Sequence, residues 1–107
     1  MDNTLGDKIR ILRKAKGLTL EELAVLTDSS KGYIWELENR GTRKPSAEKL
    51  LKIAEVLGVT TEFLLDENKS QPDDQILKTA FFRKFEKLTD DDQKKFMRII
   101  EEWAPKK

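Results

Sequence analysis

Neither cysteine nor histidine occurs among the 107 residues, and the two absences together remove disulfides, thiol nucleophiles, imidazole bases and the usual zinc ligands. Carboxylates, Ser/Thr hydroxyls and Lys amines remain for chemistry. No spacing among them suggests a positioned acid–base pair or an activated nucleophile. The sequence therefore predicts a protein that is not an enzyme and uses no cofactor or metal. Long apolar runs are missing too: none approaches the roughly 18 residues of a membrane span, and Met1 to Lys16 holds no apolar stretch of the signal-peptide kind. A cytoplasmic protein with no membrane partner is expected. Charge of one sign is also lacking, because 21 Lys and Arg against 20 Asp and Glu leave a net +1. The net charge alone makes no case for nucleic acid.

What is present is 37% hydrophobic and 38% charged residues, polar but with enough Leu, Ile and Phe for one modest domain and an appendage. Ile9, Leu12 and Ala15 share a helical face and Gly17 supplies a stop, which predicts a first helix over about 5–16. Thr19-Leu-Glu-Glu22 reads as a capping box for a second helix over about 20–27, with Leu23, Ala24 and Leu26 available for burial. Asp28-Ser29-Ser30 breaks the pattern, since Asp tolerates a left-handed turn and Ser30 caps a third helix over about 30–39. That helix puts Ile34 and Leu37 on one side and Lys31, Gly32, Trp35 and Glu36 nearer the other. Arg40 to Pro45 forms a cationic loop. Ser46 caps a fourth helix through Leu57, with Leu50, Leu51, Ile53, Ala54 and Leu57 as its apolar set and Gly58 at its end. Thr60 or Thr61 caps a short fifth helix ending near Leu65.

Residues 66–74 read as a polar linker. Beyond it, Leu77, Phe81, Phe85 and Leu88 share one helical face with Phe82 beside it. Thr89 and three aspartates then open a last helix carrying Phe96, Ile99, Ile100 and Trp103. Two such helices bury too little to stand alone. The expected fold is all-α: a five-helix domain over 1–66, a linker over 67–74 and a C-terminal helical hairpin over 75–107.

A helix-turn-helix needs a small residue where its helices cross, a residue tolerant of the left-handed turn four positions later, and apolar anchors under the second helix. Ala24, Asp28, Ile34 and Leu37 meet those needs in order. The wider stretch also carries Leu18-Thr-Leu-Glu-Glu-Leu-Ala24, Tyr33-Ile-Trp-Glu-Leu-Glu-Asn39, Arg43-Lys-Pro-Ser46 and Ala54 to Leu65. Together these resemble the Xre family, the fold of lambdoid phage repressors and Cro proteins, over roughly residues 5–66. Two positions depart from its usual pattern: the turn holds Asp28 instead of Gly, and Leu20 stands where a Gln is frequent.

The resemblance implies double-stranded DNA as partner, with Lys31, Gly32 and Glu36 facing base edges in the major groove. Lys31 suits guanine O6/N7 and Glu36 suits cytosine N4, while Gly32 permits only close approach. Glu36 equally suits a solvated face. Trp35 either meets a thymine methyl or sugar, or packs on Tyr33 or the fourth helix. Thr19, Ser29, Ser30 and Tyr33 suit phosphates as hydrogen-bond donors, and Arg40, Arg43 and Lys44 as charges; the alternative for the loop is a solvated basic segment. Arg13 and Glu38 match positions that form an internal ion pair in some members of the family.

A two-fold dimer reads two half-sites about 34 Å apart, so some surface must self-associate. Phe81, Phe82, Phe85, Phe96, Ile99, Ile100 and Trp103 form the stretch best suited to a dimer or partner interface. Covering the first domain's core is the plainer use. Capture by another protein is the third, since the arrangement resembles small regulators of this family whose tail binds a toxin or is cut by a metalloprotease. The expected function is a homodimeric repressor at a pseudo-palindromic operator, and the rival is an antitoxin-like or protease-controlled interaction module.

Overall fold

Side-chain oxygens set where the helices begin. Among the described residues, every helix starts where a Thr, Ser or Asp side chain accepts a hydrogen bond from the backbone N–H three residues on, satisfying a donor the helix itself cannot. The computed structural model describes residues 4–41 and 44–104. Over these the chain is all-α: α1 (Leu5–Ala15), α2 (Leu20–Leu26), α3 (Lys31–Asn39), α4 (Ala47–Leu57), α5 (Thr61–Leu65), α6 (Asp74–Glu86) and α7 (Asp90–Trp103). The capping box at Thr19 is closed in both directions, with Thr19 Oγ1 accepting from Glu22 N at 3.0 Å and Glu22 Oε1 from Thr19 N at 2.9 Å. Thr60, not Thr61, caps α5. Gly17 and Gly58 end α1 and α4 at φ +72° and +74°, a left-handed conformation that glycine adopts without a Cβ clash.

The first five helices enclose one core. Ile9, Leu23, Ile34 and Ile53 are wholly buried at its centre, with Leu37, Ala54, Leu57, Val59, Phe63 and Leu64 around them. Three expectations about this core are corrected. Leu26 is 55% exposed, and Ala15 and Leu51 are exposed as well. In α2 the inward stripe is Leu20, Leu23, Ala24 and Thr27, the i, i+3, i+4, i+7 set of a single face, and Leu26 stands off it. Thr27 is wholly buried because its hydroxyl donates back to Leu23 O at 2.8 Å, so burial leaves nothing unpaired. Leu51 looks instead toward α6 across a cleft of about 360 Å³ that Ala54, Val59 and Ala80 also line.

Three charged side chains, Lys8, Arg13 and Glu38, are built into the core. Arg13 donates from Nε to Glu38 Oε2 at 2.7 Å and from Nη2 to Oε1 at 3.0 Å, while Nη1 reaches Leu18 O at 2.9 Å. The expected Arg13–Glu38 pair is thus a buried fork joining α1 to α3 and to the entry of α2. Its hydrogen bond to Glu38 raises the Arg13 pKa against the opposing cost of burial. Lys8 is buried too and was not anticipated. Its ammonium donates to Phe63 O at 2.6 Å and to Asp66 O, and lies 4.3 Å from the Phe63 ring centroid. It thereby caps α5 at the negative end of its dipole, and desolvation lowers its pKa. Gly6 lets α1 and α3 approach: a Cβ there would lie 2.5 Å from Leu37 O.

The last two helices form a hairpin held by aromatic rings. Phe96 of α7 meets Phe81 and Phe85 of α6 at centroid distances of 5.6 and 5.8 Å, within the range for favourable ring pairs. Gln93 Nε2 closes the connection on Phe85 O at 3.1 Å. No described residue of α6 or α7 is buried. The hairpin docks on the first five helices through Ile76, which packs on the core, a bidentate Arg83–Glu62 pair at 2.9 Å, and a Lys87–Glu55 pair. Exposed ion pairs are each worth about 0–1 kcal/mol, so this docking is far weaker than the core. The molecule is correspondingly elongated, 53 × 28 × 24 Å.

Two predictions follow from these contacts. Glu38→Ala leaves a buried guanidinium unpaired and is expected to cost about 3–5 kcal/mol in urea unfolding, and Gly6→Ala about 1–3 kcal/mol by overpacking. A loss under about 1 kcal/mol for Glu38→Ala would show the fork to be solvated. The second concerns docking: chiefly through the Arg83 hydrogen bond, the Glu62 carboxyl is held down from 4.5 to about 2. A carboxyl with a depressed folded-state pKa contributes its stabilisation above its unbound value and loses it as pH falls through the depressed one. Amide chemical shifts of α6 should therefore be constant at and above about pH 5 and move toward an undocked hairpin as pH drops from about 4.5 to about 2. An α6 still docked at the acid end would show that the ion pair does not hold it.

Candidate nucleic-acid interface

Between α2 and α3 the chain turns within four residues. Asp28 is the one described non-glycine residue with positive φ, +53°, as expected of a turn residue whose short polar side chain tolerates that region. Ser29 N then donates to Ala24 O at 2.8 Å, and Ser30 Oγ accepts from Tyr33 N at 3.1 Å to open α3. The back of α3 is fixed by Ile34, Leu37 and Glu38, all buried. Its opposite face is left to solvent.

The predicted base-facing residues separate into distinct environments. Lys31 and Gly32 stand exposed on the first turn of α3. No heavy atom lies within 4 Å of where a Gly32 Cβ would be, so packing inside this chain does not require glycine there. Lys31 lies 3.5 Å from Glu21 with its side chain 60% exposed, a solvent-screened pairing that is readily exchanged. Trp35 is 42% exposed, and the Arg40 guanidinium lies over its ring at 5.5 Å, a cation–π arrangement. Glu36 is half-buried.

The predicted phosphate-facing residues separate likewise. Thr19 and Ser30 are exposed, and both accept from backbone N–H groups through the oxygen, which leaves the hydroxyl hydrogen to donate outward. Ser29 is turned inward: its hydroxyl lies 3.0 Å from Thr27 Oγ1 and donates to Thr27 O at 3.2 Å. Tyr33 is half-buried, with its ring centroid 6.0 Å from the Lys49 ammonium. Arg40 and Lys44 are exposed. Arg43 lies outside the described residues. Among the described residues no cluster of acidic side chains could hold a metal ion.

Lys49 and Lys52 of α4 were not anticipated here. Lys49 Nζ donates to Thr27 O at 2.6 Å and Asp28 O at 2.7 Å, and Lys52 Nζ to Asp28 Oδ2 at 3.0 Å. The hydrogen bond between Lys52 and the Asp28 carboxylate lowers the Asp28 pKa and raises that of Lys52. In the sequence they read only as the polar side of an amphipathic helix. What that side faces is set 21–24 residues away.

The seven hairpin residues also divide. Phe85 and Phe96 are half-buried against each other and Phe81 packs on both at the exposed edge, whereas Phe82, Ile99, Ile100 and Trp103 face outward, Phe82 at 62% and Trp103 at 80% exposure. A monomer seldom leaves so much aromatic surface uncovered without a use for it.

Comparison with known proteins gives these surfaces a context. A family model described as "Helix-turn-helix" matches residues 9–64, more than half of the chain. The HTH-type transcriptional regulator SinR of Bacillus subtilis (strain 168) is 38% identical over 63 residues, 59% of this chain and 57% of that protein. The chain thus aligns to little more than half of that relative's length. Control protein C.BamHI of Bacillus amyloliquefaciens is 40% identical over 62 residues, 57% of this chain and 75% of that protein. Among solved structures, a SinR protein/SinI protein complex contains a chain matched at TM-score 0.58 and 28% identity, over 94% of this chain and 96% of that one. The restriction-modification controller protein C.AhdI from Aeromonas hydrophila matches at TM-score 0.52 and 38% identity, over 57% of this chain and 91% of that one. With residues 9–64 matching the family model, relatives named as HTH-type transcriptional regulators and α3 anchored behind and open in front, the chain belongs to the Xre-like helix-turn-helix family.

Proposed function

We propose that the protein is a homodimeric repressor that reads a pseudo-palindromic operator, a binding role in the cytoplasm with no catalytic step. The observation that carries this is the first turn of α3, where Lys31 and Gly32 are exposed side by side on a helix whose other face is locked into the core. An extended Lys beside a residue without a side chain suits close approach to a guanine edge. Glu36, half-buried, reads cytosine N4 at the margin of the same groove, and Trp35 lies along a thymine methyl or sugar. Thr19, Ser30, Tyr33, Arg40, Arg43 and Lys44 fix register on the phosphates. Ser29 stands outside this set, because its hydroxyl and its backbone N–H are both engaged within the chain.

In this reading residues 1–66 read DNA, 67–74 connect, and 75–107 bring two copies together through the outward Phe82, Ile99, Ile100 and Trp103. Repression follows from occupancy: two half-sites about 34 Å apart span a stretch of promoter that polymerase then cannot use. A second reading has one specific support. The match to a chain of the solved SinR protein/SinI protein complex extends over 94% of this chain, hairpin included, which supports a second protein as an alternative occupant of the hairpin's outward surface.

Selection of bound duplexes from a random pool should return an inverted repeat. On that operator Lys31→Ala is expected to cost about 1–3 kcal/mol and relax preference at one base pair, whereas Arg43→Ala weakens all sequences and lowers the salt slope by about one. Unchanged selectivity in Lys31→Ala would sink the assignment of that residue. For the assembly, full-length Phe82→Asp/Trp103→Asp should sediment as a monomer and lose operator affinity while keeping its affinity for mixed-sequence DNA. A dimer that survives both substitutions would place self-association elsewhere.

A further inference from the structure

The turn that aims α3 is not self-supporting. Asp28 holds a left-handed conformation that only glycine adopts freely, and it comes just after the carbonyl end of α2, where the last C=O groups lack helical partners and carry the negative end of the dipole. Two lysines of α4 meet both demands. Lys49 bridges the carbonyls of Thr27 and Asp28 at 2.6 and 2.7 Å, and Lys52, one turn along the same face, takes the Asp28 carboxylate at 3.0 Å. The Lys49 ammonium is also 6.0 Å from the ring of Tyr33, in the first turn of α3. A single side chain of α4 therefore touches the end of α2, the turn and the start of α3. Lys31 follows Asp28 by three residues, so a change in the Asp28 backbone is passed directly to the direction in which Lys31 and Gly32 point.

We infer that Lys49 and Lys52 are positioning residues for sequence reading, a two-lysine clamp that holds Asp28 in the conformation a glycine would take and thereby aims the first turn of α3. The inference rests on the DNA-reading role given to α3 above. It differs from a phosphate contact, because Lys49 is half-buried and spends two of its three donors on carbonyls inside the chain.

The test compares full-length variants on two duplexes of one length, the sequence selected by wild type and a mixed sequence. Lys49→Met should lower the ratio of selected to mixed affinity about tenfold, some 1.4 kcal/mol, with an unchanged salt slope. Lys49→Arg, which also reaches carbonyls, should restore the ratio. Asp28→Gly added to Lys49→Met should restore it too, because glycine needs no clamp to hold the turn. Equal loss on both duplexes with a salt slope lower by about one would make Lys49 a direct phosphate ligand and overturn the clamp. So would an unchanged ratio, or failure of Asp28→Gly to rescue.

If Lys49→Met does not fold, as judged by circular dichroism, Lys52→Met carries the same comparison and should have no effect in an Asp28→Gly background. Amide hydrogen exchange separates the two layers of the claim. Ser29 and Tyr33 N–H groups should exchange faster in Lys49→Met, and slow again with Asp28→Gly. That result with a wild type that selects no sequence would refute the reading role and keep the clamp, whereas unchanged exchange would refute the clamp whatever the DNA shows.

Discussion

Helix α3 lies where it does because of a buried fork. Arg13 and Glu38 make two hydrogen bonds to each other, and the third guanidinium contact goes to Leu18 O at the entry to α2. Three helices are tied at one point. Burying such a pair is a poor way to gain stability, since desolvation offsets most of the attraction. Its geometry is what it supplies: a planar fork admits one orientation of the carboxylate, and Glu38 lies beside Leu37 on the inner side of α3. Gly6 complements it by letting α1 come within backbone contact of Leu37 and Glu38. With the distal half of α3 pinned this way, its proximal turn is the part left to be aimed by Asp28, Lys49 and Lys52.

The molecule is firm where it reads and loose where it joins. Around α3 the contacts are buried and their polar groups satisfied; no buried side-chain donor or acceptor among the described residues lacks a partner. The hairpin is attached by Ile76 and two exposed ion pairs across an incompletely filled cleft. Low local contact density of this kind marks segments that move before the core unfolds. For the proposed two-fold assembly this division has a use. Two rigid reading heads on compliant joints would adjust their separation to the half-site spacing without distorting α3 of either copy.

What was legible in the sequence was local. Caps at Thr19, Ser30, Ser46 and Thr89, the glycine stops at Gly17 and Gly58, and the left-handed turn at Asp28 each depend on a few neighbouring residues, and all stand as expected. So does the division of α3 into an anchored face and an open one, since 3.6-residue periodicity fixes which side chains share a side. Leu26 and Leu51 were misjudged because hydrophobicity alone does not say where the buried stripe ends. Thr27 took the inward place by satisfying its own hydroxyl. Lys8 and Lys49 were illegible for a different reason: each meets backbone carbonyls 21–58 residues away, and a carbonyl has no letter in the sequence; Lys52 meets the Asp28 carboxylate 24 residues away, a distance that helical periodicity does not span.

The departure from the family pattern at Asp28 and the bare position at Gly32 then take on a common sense. A glycine would hold the turn unaided, whereas Asp28 holds it with Lys49 and Lys52 of α4 in place. That support matters most when the first turn of α3 offers few side chains of its own. Gly32 contributes none, so reading at that turn falls largely to Lys31, whose long flexible chain discriminates poorly unless its base is well aimed. Rigidity of the turn compensates for poverty of contacts. In the proposed dimer, selectivity would come from how narrowly Lys31 is pointed and from the spacing that pairing two copies imposes, more than from the number of groups that touch bases.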